Sequence, residues 1–449
     1  MTSPEHPAYK SQDLHILDLF AGPGGLDVAA HFLGVPSLGI EMDGNACETR
    51  YRAGLPTIHA DVRDMRTERF DELPRTINVL AGGPPCQSFS VAGSGDGRRA
   101  LSTIEEFVHQ LLDGVADEVV DKELAKLGDK RTALVLEPIR WLLKAIATPE
   151  RGPYRAIVLE QVTTVLPLWK LYAKILNSGD LPGGVKYTAT CETLQTEEYG
   201  VPQTRKRAVL LARLDSVGGE RVDWAGARPL ALPGPTHLPF VLRRAKRSSE
   251  GPALFDAPEK AEGTGRRPHH WVSAQKALKE AVGIALRPTP FVVVSNYSTG
   301  GVSTNRGRRG SHEPAFTVTS KISRNIVLNE DGSPQEPDRF TIPEAGVLQS
   351  FPGNFPWSGN AQAEQVGNAV PPRFAMHVLS ATLGLGAPST PALVKARSWP
   401  PCPSPETERL RSAGCGDRSA CPTSHPAVQA SSSSVVRPRT GTSAKSSAK

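Results

Sequence analysis

Short apolar runs alternate with amphipathic stretches along the first two hundred residues. Residues 14–20 read as a strand that opens into a glycine turn and a helix through Val28-Ala29-Ala30-His31-Phe32-Leu33. Strands are expected at 36–40, 57–60, 77–81 and 156–159, with helices at 46–53 and near 134–147. This βαβα rhythm predicts an α/β fold with a doubly wound, Rossmann-like parallel sheet. From about residue 225 the rhythm dissolves into Pro, Gly and basic residues with scattered aromatics, Phe240, Trp271, Phe291 and Tyr297. Four segments follow: a first domain over 12–224, a smaller loop-rich region over 225–338, a stretch at 339–384 that returns to complete the first domain, and a tail at 385–449. The tail is rich in Ser, Pro and Ala, ending in Ser431-Ser432-Ser433-Ser434 and Ser443-Ala444-Lys445-Ser446-Ser447-Ala448-Lys449, and is expected to be disordered.

Composition narrows the class. No apolar run approaches membrane-spanning length, and the first residues, Met1-Thr2-Ser3-Pro4-Glu5-His6, lack the basic-then-apolar pattern of a signal peptide. Six scattered cysteines without a CxxC pair fit a reducing, cytoplasmic compartment. Cys402, Cys415 and Cys421, with His425, lack zinc-finger spacing, so no metal site is expected. The net charge of +6 is carried by residues 391–449, with nine Lys/Arg against three Asp/Glu. The remainder sums to zero, yet residues 225–312 hold 14 Lys/Arg against 5 Asp/Glu. Three clusters stand out there: Arg243-Arg244-Ala245-Lys246-Arg247, Arg266-Arg267 and Arg306-Gly307-Arg308-Arg309. Any one is ordinarily a solvated face; three in one segment point to phosphate contacts.

The candidate chemistry gathers at strand ends. Cys86 follows the apolar run Ile77-Asn78-Val79-Leu80-Ala81 in Gly82-Gly83-Pro84-Pro85-Cys86-Gln87-Ser88-Phe89-Ser90. A thiol there, after two prolines that fix φ, is placed like a nucleophile, although a lone cysteine is more often a buried small hydrophobe. Gly22, Gly24 and Gly25 follow the first strand and let backbone approach a ligand closely. Glu41 ends the second strand, where an acid takes ribose hydroxyls, and Asp61 ends the third, where one can accept from an adenine amine. A dinucleotide fingerprint wants a third glycine where Asp27 stands, so S-adenosylmethionine suits the pocket better than NAD. Glu160 ends the strand Ala156-Ile157-Val158-Leu159, and Gln203-Thr204-Arg205-Lys206-Arg207 precedes the apolar run at 208–212.

Taken in order, Leu17-Asp18-Leu19-Phe20-Ala21-Gly22-Pro23-Gly24-Gly25-Leu26, the Pro84-Pro85-Cys86 run, Leu159-Glu160-Gln161-Val162, Gln203–Arg207 and Gln365-Val366-Gly367-Asn368-Ala369-Val370-Pro371-Pro372 resemble the DNA cytosine-5 methyltransferases of bacteria and phages. The resemblance extends to about Gly384. It implies S-adenosylmethionine as cofactor, with Phe20 at the adenine, Gly22 and Gly24 in the turn, Glu41 on the ribose, Asp61 on the adenine amine, and Leu134 and Asn368 completing the pocket. It implies that Cys86 adds to C6 of cytosine, making C5 electron-rich enough to take a methyl group. Glu160 then serves N3 and the exocyclic amine, which calls for a raised pKa. Arg205 is expected to reach the flipped base and the Cys86 side, and Arg207 to brace neighbouring elements. Leu348-Gln349-Ser350-Phe351-Pro352 resembles the motif that orders the recognition region.

The same resemblance implies base flipping from double-stranded DNA, read by residues 225–338, with Ser298-Thr299-Gly300-Gly301-Val302 and Asn305-Arg306 as readers by composition only. The glycine- and arginine-bearing stretch at 91–99 is the expected mobile loop, opening a longer-than-usual interval up to Leu134. One departure stands out: Gln161 follows Glu160 where the family usually has asparagine, which changes the bracing available to the nearby loop. An RNA cytosine-5 methyltransferase and an inactive DNA-binding relative are the alternatives; the basic middle segment favours duplex DNA. The expected setting is a monomer in a bacterial cytosol, acting in a restriction–modification pair whose restriction endonuclease works separately, or as an orphan enzyme.

Overall fold

Leu17 and Leu19 belong to the core on one face of a central strand and Ile16 to the core on the other, so this strand is covered by helices on both sides. The computed structural model describes residues 13–85, 96–125, 132–224, 226–240, 268–295 and 307–400. Cys86, the start of the 91–99 stretch, the clusters at 243–247 and 266–267, Tyr297, the readers at 298–302 and 305–306, and Cys402, Cys415, Cys421 and His425 lie outside the described residues.

The first half runs β1 (Ile16–Leu19), α1 (Gly25–Leu33), β2 (Ser37–Glu41), α2 (Gly44–Arg52), β3 (Thr57–His59), α3 (Val62–Thr67), β4 (Val79–Gly82), α4 (Asp96–Leu112), α5 (Asp117–Ala125), α6 (Glu137–Ile146), β5 (Ala156–Gln161), α7 (Leu166–Ser178), β6 (Lys186–Gln195), β7 (Lys206–Val217) and β8 (Glu220–Arg221). These strands form one sheet in the order β3-β2-β1-β4-β5-β7-β6, with β8 beside β7. The pairs from β3 through β5 are parallel, while β7 runs antiparallel to both β5 and β6. Strand order reverses at β1/β4, the switch point beyond whose carboxyl ends ligands bind in such sheets.

One face is covered by Ile104, Phe107 and Val108 of α4, Trp141 and Leu142 of α6, and Trp169 and Tyr172 of α7. Within the interval after Ser90, residues 96–112 and 117–125 are helical, and α4 and α5 contribute Leu111, Val120 and Leu124 to the same core. Arg66 of α3 is buried between Glu137, 2.8 Å away, and Asp117, fastening α3, α5 and α6 together. The opposite face packs α1, through Leu26, Ala29 and Ala30, against Phe374, Ala375, Val378 and Leu379.

Those last four belong to α11 (Pro372–Leu383), near the end of a second half that runs α8 (Ala274–Glu280), β9 (Val292–Ser295), β10 (Arg308–Gly310), β11 (Asn325–Leu328), α9 (Ile342–Leu348), α10 (Gln362–Asn368), α11 and α12 (Thr390–Lys395). β10, β9 and β11 make a separate antiparallel sheet in that order, over a small core of Phe291, Val293, Val327, Leu278 and Phe340. Arg287 is buried in this unit and grips Glu344 through Nε and Nη2 at 2.7 and 2.8 Å. Two expectations are corrected here. Arg309, counted among the phosphate-contacting cations, is 6 % exposed; it donates to Thr204 Oγ1 and Ala315 O and lies over the Phe240 and Phe316 rings. The tail, expected to begin at 385, is folded through residue 400. Trp399 is 5 % exposed, donates from Nε1 to Ala53 O at 3.0 Å, and packs against Phe32 and Phe355. One indole burying that much apolar area outweighs the polar composition around it.

Candidate active site

A cavity of about 580 Å³ opens over the carboxyl ends of β1, β2, β4 and β5. Its lining brings together Phe20, Gly22, Glu41, Leu134, Glu160, Arg205, Arg207 and Asn368, contributed by segments more than three hundred residues apart in sequence. Gly83 and Pro85 also line it, so the backbone entering Cys86 leaves from the cavity wall. Gly24 and Asp61 do not line it. Gly24 caps α1 at φ 102°, packed against Leu55, while the Asp61 carboxylate caps α3 and pairs with Arg63 at 2.5 Å. Burial raises the Asp61 pKa, but its bonds to Arg63 outweigh that and hold it below the usual value.

At the glycine turn, Glu41 is fixed by three backbone N–H groups: Gly22 donates to Oε2 at 2.7 Å, Met42 and Asp43 to Oε1 at 2.8 and 2.7 Å. Phe20 is held at φ 58°, a left-handed conformation that costs a non-glycine residue of order 1–3 kcal/mol and presents its ring at the cavity. Gly25 permits the approach of the distant 367–370 segment, because a Cβ there would stand 2.1 Å from Val370 O. Beneath the turn, Asp18 lines the cavity with its carboxyl buried beside that of Asp27. Burial, and then Asp27, push its pKa well above the ordinary range, while Asp27 itself pairs with fully buried Arg50 at 2.6 Å.

The opposite wall carries Glu160. In the antiparallel β5/β7 pair Glu160 faces Val209, which makes Arg207 its diagonal neighbour on the same face. The two form an ion pair, Arg207 Nε to Glu160 Oε1, at 2.9 Å. Burial raises the Glu160 pKa despite the opposing fields of Arg207 and Arg205. Both arginines line the cavity, but their side-chain contacts differ. Arg205 is 3 % exposed and donates to Val318 O at 2.9 Å, Gly367 O at 3.0 Å and Ala369 O at 3.3 Å. The last two carbonyls lie at the C-terminus of α10, where a cation is favoured, so Arg205 braces and Arg207 meets the catalytic acid candidate.

Two glutamines complete the scaffold. Gln161 donates from Nε2 to Pro84 O and accepts from Val162 N, clamping the strand end to the loop before Cys86. Gln203 meets Gln349 side chain to side chain at 2.5 Å, and Gln349 donates to Val366 O at 2.7 Å, tying the β7 entrance to α9 and α10. Both motifs carrying this pair are visible in the sequence; their contact is not.

A doubly wound sheet with an antiparallel β7, and a cavity at its switch point shared between a glycine turn and an acid–arginine pair, define a Rossmann-like methyltransferase. The model of the C-5 cytosine-specific DNA methylase family matches residues 14–106 and 150–383, and the chain belongs to that family: it is a DNA cytosine-5 methyltransferase. The unmatched interval, 107–149, coincides with the end of α4, α5 and α6. The Type II methyltransferase M1.HphI of Haemophilus parahaemolyticus is 26 % identical over 391 residues, covering 82 % of this chain and 87 % of that protein. M.Sau96I of Staphylococcus aureus is 27 % identical over 378 residues, covering 82 % and 75 %. Among solved structures, the S. pombe Dnmt2 methyltransferase aligns over 82 % of this chain and 98 % of its own, at 15 % identity and a TM-score of 0.46.

Proposed function

We propose that this enzyme methylates C5 of a cytosine swung out of duplex DNA, through transient addition of the Cys86 thiolate to C6, and that S-adenosylmethionine is its cofactor. One observation carries this: Glu160, Arg207, the Gly83–Pro85 backbone and the glycine turn all line a single cavity. The residues fit S-adenosylmethionine. Glu41 is locked to face a ribose, the Phe20 ring can meet the adenine, Leu134 and Asn368 close the pocket, and the buried Asp18 carboxyl lies on its floor. When bound, S-adenosylmethionine supplies an electrophilic methyl group.

The chain's own residues do the rest. The Cys86 sulfur donates an electron pair to C6, and the ring electrons move toward C5 and N3. Glu160, its pKa raised by burial, holds a proton at N3 and accepts from the exocyclic amine, stabilising that charge. Arg207 holds the Glu160 carboxyl in place, and Gln161 fixes the backbone that delivers Cys86. Loss of the C5 proton returns the electron pair and expels the thiolate. Extrusion of the base costs roughly a few kcal/mol, which the 225–338 region offsets by contacts to DNA.

The Type II methyltransferase names of the relatives support a role as the modification half of a bacterial restriction–modification pair; a monomeric, cytoplasmic enzyme acting apart from its endonuclease is the setting proposed with it. No helix among the described residues is long and apolar enough to cross a membrane. Incubation with duplex DNA containing 5-fluorocytosine, in the presence of S-adenosylmethionine, is expected to trap a covalent adduct that Cys86→Ser abolishes. Trapping by RNA alone would overturn the duplex-DNA substrate, and bisulfite sequencing of DNA from expressing cells gives the target site.

A further inference from the structure

A second cavity, of about 690 Å³, shares no lining residue with the first. Its walls come from the Gly200–Pro202 turn, the His269–Ser273 stretch and α8, the start of α11, and α12. The α12 wall lies beyond residue 383, where the family model ends. The chemistry of these walls is one-sided. Arg373 lines the cavity, uses Nε on Tyr199 O at 3.0 Å, and has no carboxylate within ion-pair distance among the described residues. Lys276, exposed at the rim, has none among them either. Arg397 is matched by Glu280 at 3.0 Å, so two cations remain unbalanced. The indole N–H of Trp271 is buried without an acceptor. Three cations thus line the cavity against one carboxylate, Glu280, and an unbalanced cation partly withdrawn from water is costly unless an anion joins it.

The field is strong enough to register on a neighbour. His237, also in the wall, has its pKa lowered to about 3, first by burial and then by Arg373, so it stays neutral. The imidazoles do not make a metal site, because no group of three candidate ligands occurs among the described residues. The other wall is aromatic: His270 lies 3.8 Å from Trp271 between ring centroids, and Phe240 meets Trp271 edge-on at 5.2 Å. The volume falls in the range of small-molecule sites, far beyond what one inorganic ion fills.

We propose that this cavity binds a phosphate-bearing small molecule of nucleotide size, its phosphate on Arg373 and Lys276 and its planar ring against Trp271. A phosphate brings several acceptor oxygens and more than one negative charge, which suits two free cations better than a carboxylate does. The test is calorimetric titration of the full chain with AMP, GMP, CMP and UMP, each against its nucleoside. Saturating S-adenosylhomocysteine is included so that the first cavity is closed to them. At least one nucleotide is expected to bind below about 5 mM, its nucleoside about tenfold more weakly, and Lys276→Met is expected to cost about fivefold or more in affinity. Arg373→Met should cost more; because it also loses the bond to Tyr199, the exposed Lys276 is the deciding position if that variant fails to fold. The proposal is overturned if no nucleotide binds, if Lys276→Met binds as well as the parent, or if duplex DNA displaces the nucleotide and the Lys276→Met loss appears in DNA affinity instead.

Discussion

The side-chain amide of Gln161 donates to the carbonyl of Pro84, so the strand end that carries Glu160 and the loop that leads into Cys86 are fastened to each other. Gln161→Ala removes this clamp without touching the cavity's charges. A net hydrogen bond is worth about 1 kcal/mol, so with the lost order felt in the transition state kcat falls about fivefold, with KM for S-adenosylmethionine little changed. Gln161→Asn, shorter by one methylene, is expected to recover part of the rate. A kcat unchanged in Gln161→Ala would show that the clamp does not govern the reaction.

Glu160 gives a pH signature. Its native pKa is raised by burial, so the folded chain binds that proton more tightly than the unfolded chain does. The associated stability is fully present below the ordinary carboxylate pKa of about 4.3 and is lost as pH rises through the higher native value. Glu160→Gln cannot ionise. Denaturant titrations at a series of pH values should therefore show the parent losing stability relative to Glu160→Gln as pH increases from about 4 upward. A constant difference would mean that the native pKa is not raised.

Arg205 and Arg207 should separate stability from activity. Arg205→Ala takes the Arg205 donor from the buried carbonyls of Val318 and Gly367, while Ala369 O keeps Gln349, and is expected to cost about 3 kcal/mol in unfolding free energy. Arg207→Ala removes the ion pair that holds the Glu160 carboxyl in place, so kcat drops while the melting temperature changes less; with the arginine's field gone, the Glu160 pKa rises further. Equal stability losses in the two variants would contradict the assignment of bracing to Arg205.

Gly25→Ala places a methyl group 2.1 Å from Val370 O, and neither backbone can yield without moving the segment that carries Asn368. Weaker binding of S-adenosylhomocysteine, by about tenfold, is expected in calorimetry, together with a lower melting temperature. Retention of parental affinity would show that the 367–370 segment is not needed to close the pocket.

The central sheet is legible in the sequence because β1, β4 and β5 are buried on both faces and read as mainly apolar runs, β4 ending in glycine and β5 in an acid and its amide neighbour. β6 gives no such signal: it lies at the sheet edge, is largely polar, and has only Tyr187 fully buried. In the second half, β9 and β11 are four residues each, too short for periodicity to register among prolines and glycines. Residue types locate the cavity well, since eight of the residues anticipated for it line one space. They cannot assign partners. Arg205 and Arg207 are chemically alike in sequence, and only the β5/β7 register tells which one meets Glu160. Arg309 likewise reads as surface charge, because nothing in the sequence brings Phe240, Phe316 and Thr204 around it.

Trp399→Ala removes an indole enclosed by Phe32, Phe355 and the carbonyl of Ala53, and is expected to cost about 3–5 kcal/mol, read as a lower denaturation midpoint. A loss within experimental error would mean that residues 385–400 add nothing to the fold.

The placement of that indole also orders events in time. α1 and α2 leave the ribosome early in translation, while the α11 helix and the Trp399 side chain that cover them come from the last quarter of the sequence. At roughly 5–20 residues per second the apolar flank of α1 waits uncovered for tens of seconds. Until residues 372–399 have been made, the apolar flank of α1 is without the partners that cover it in the fold.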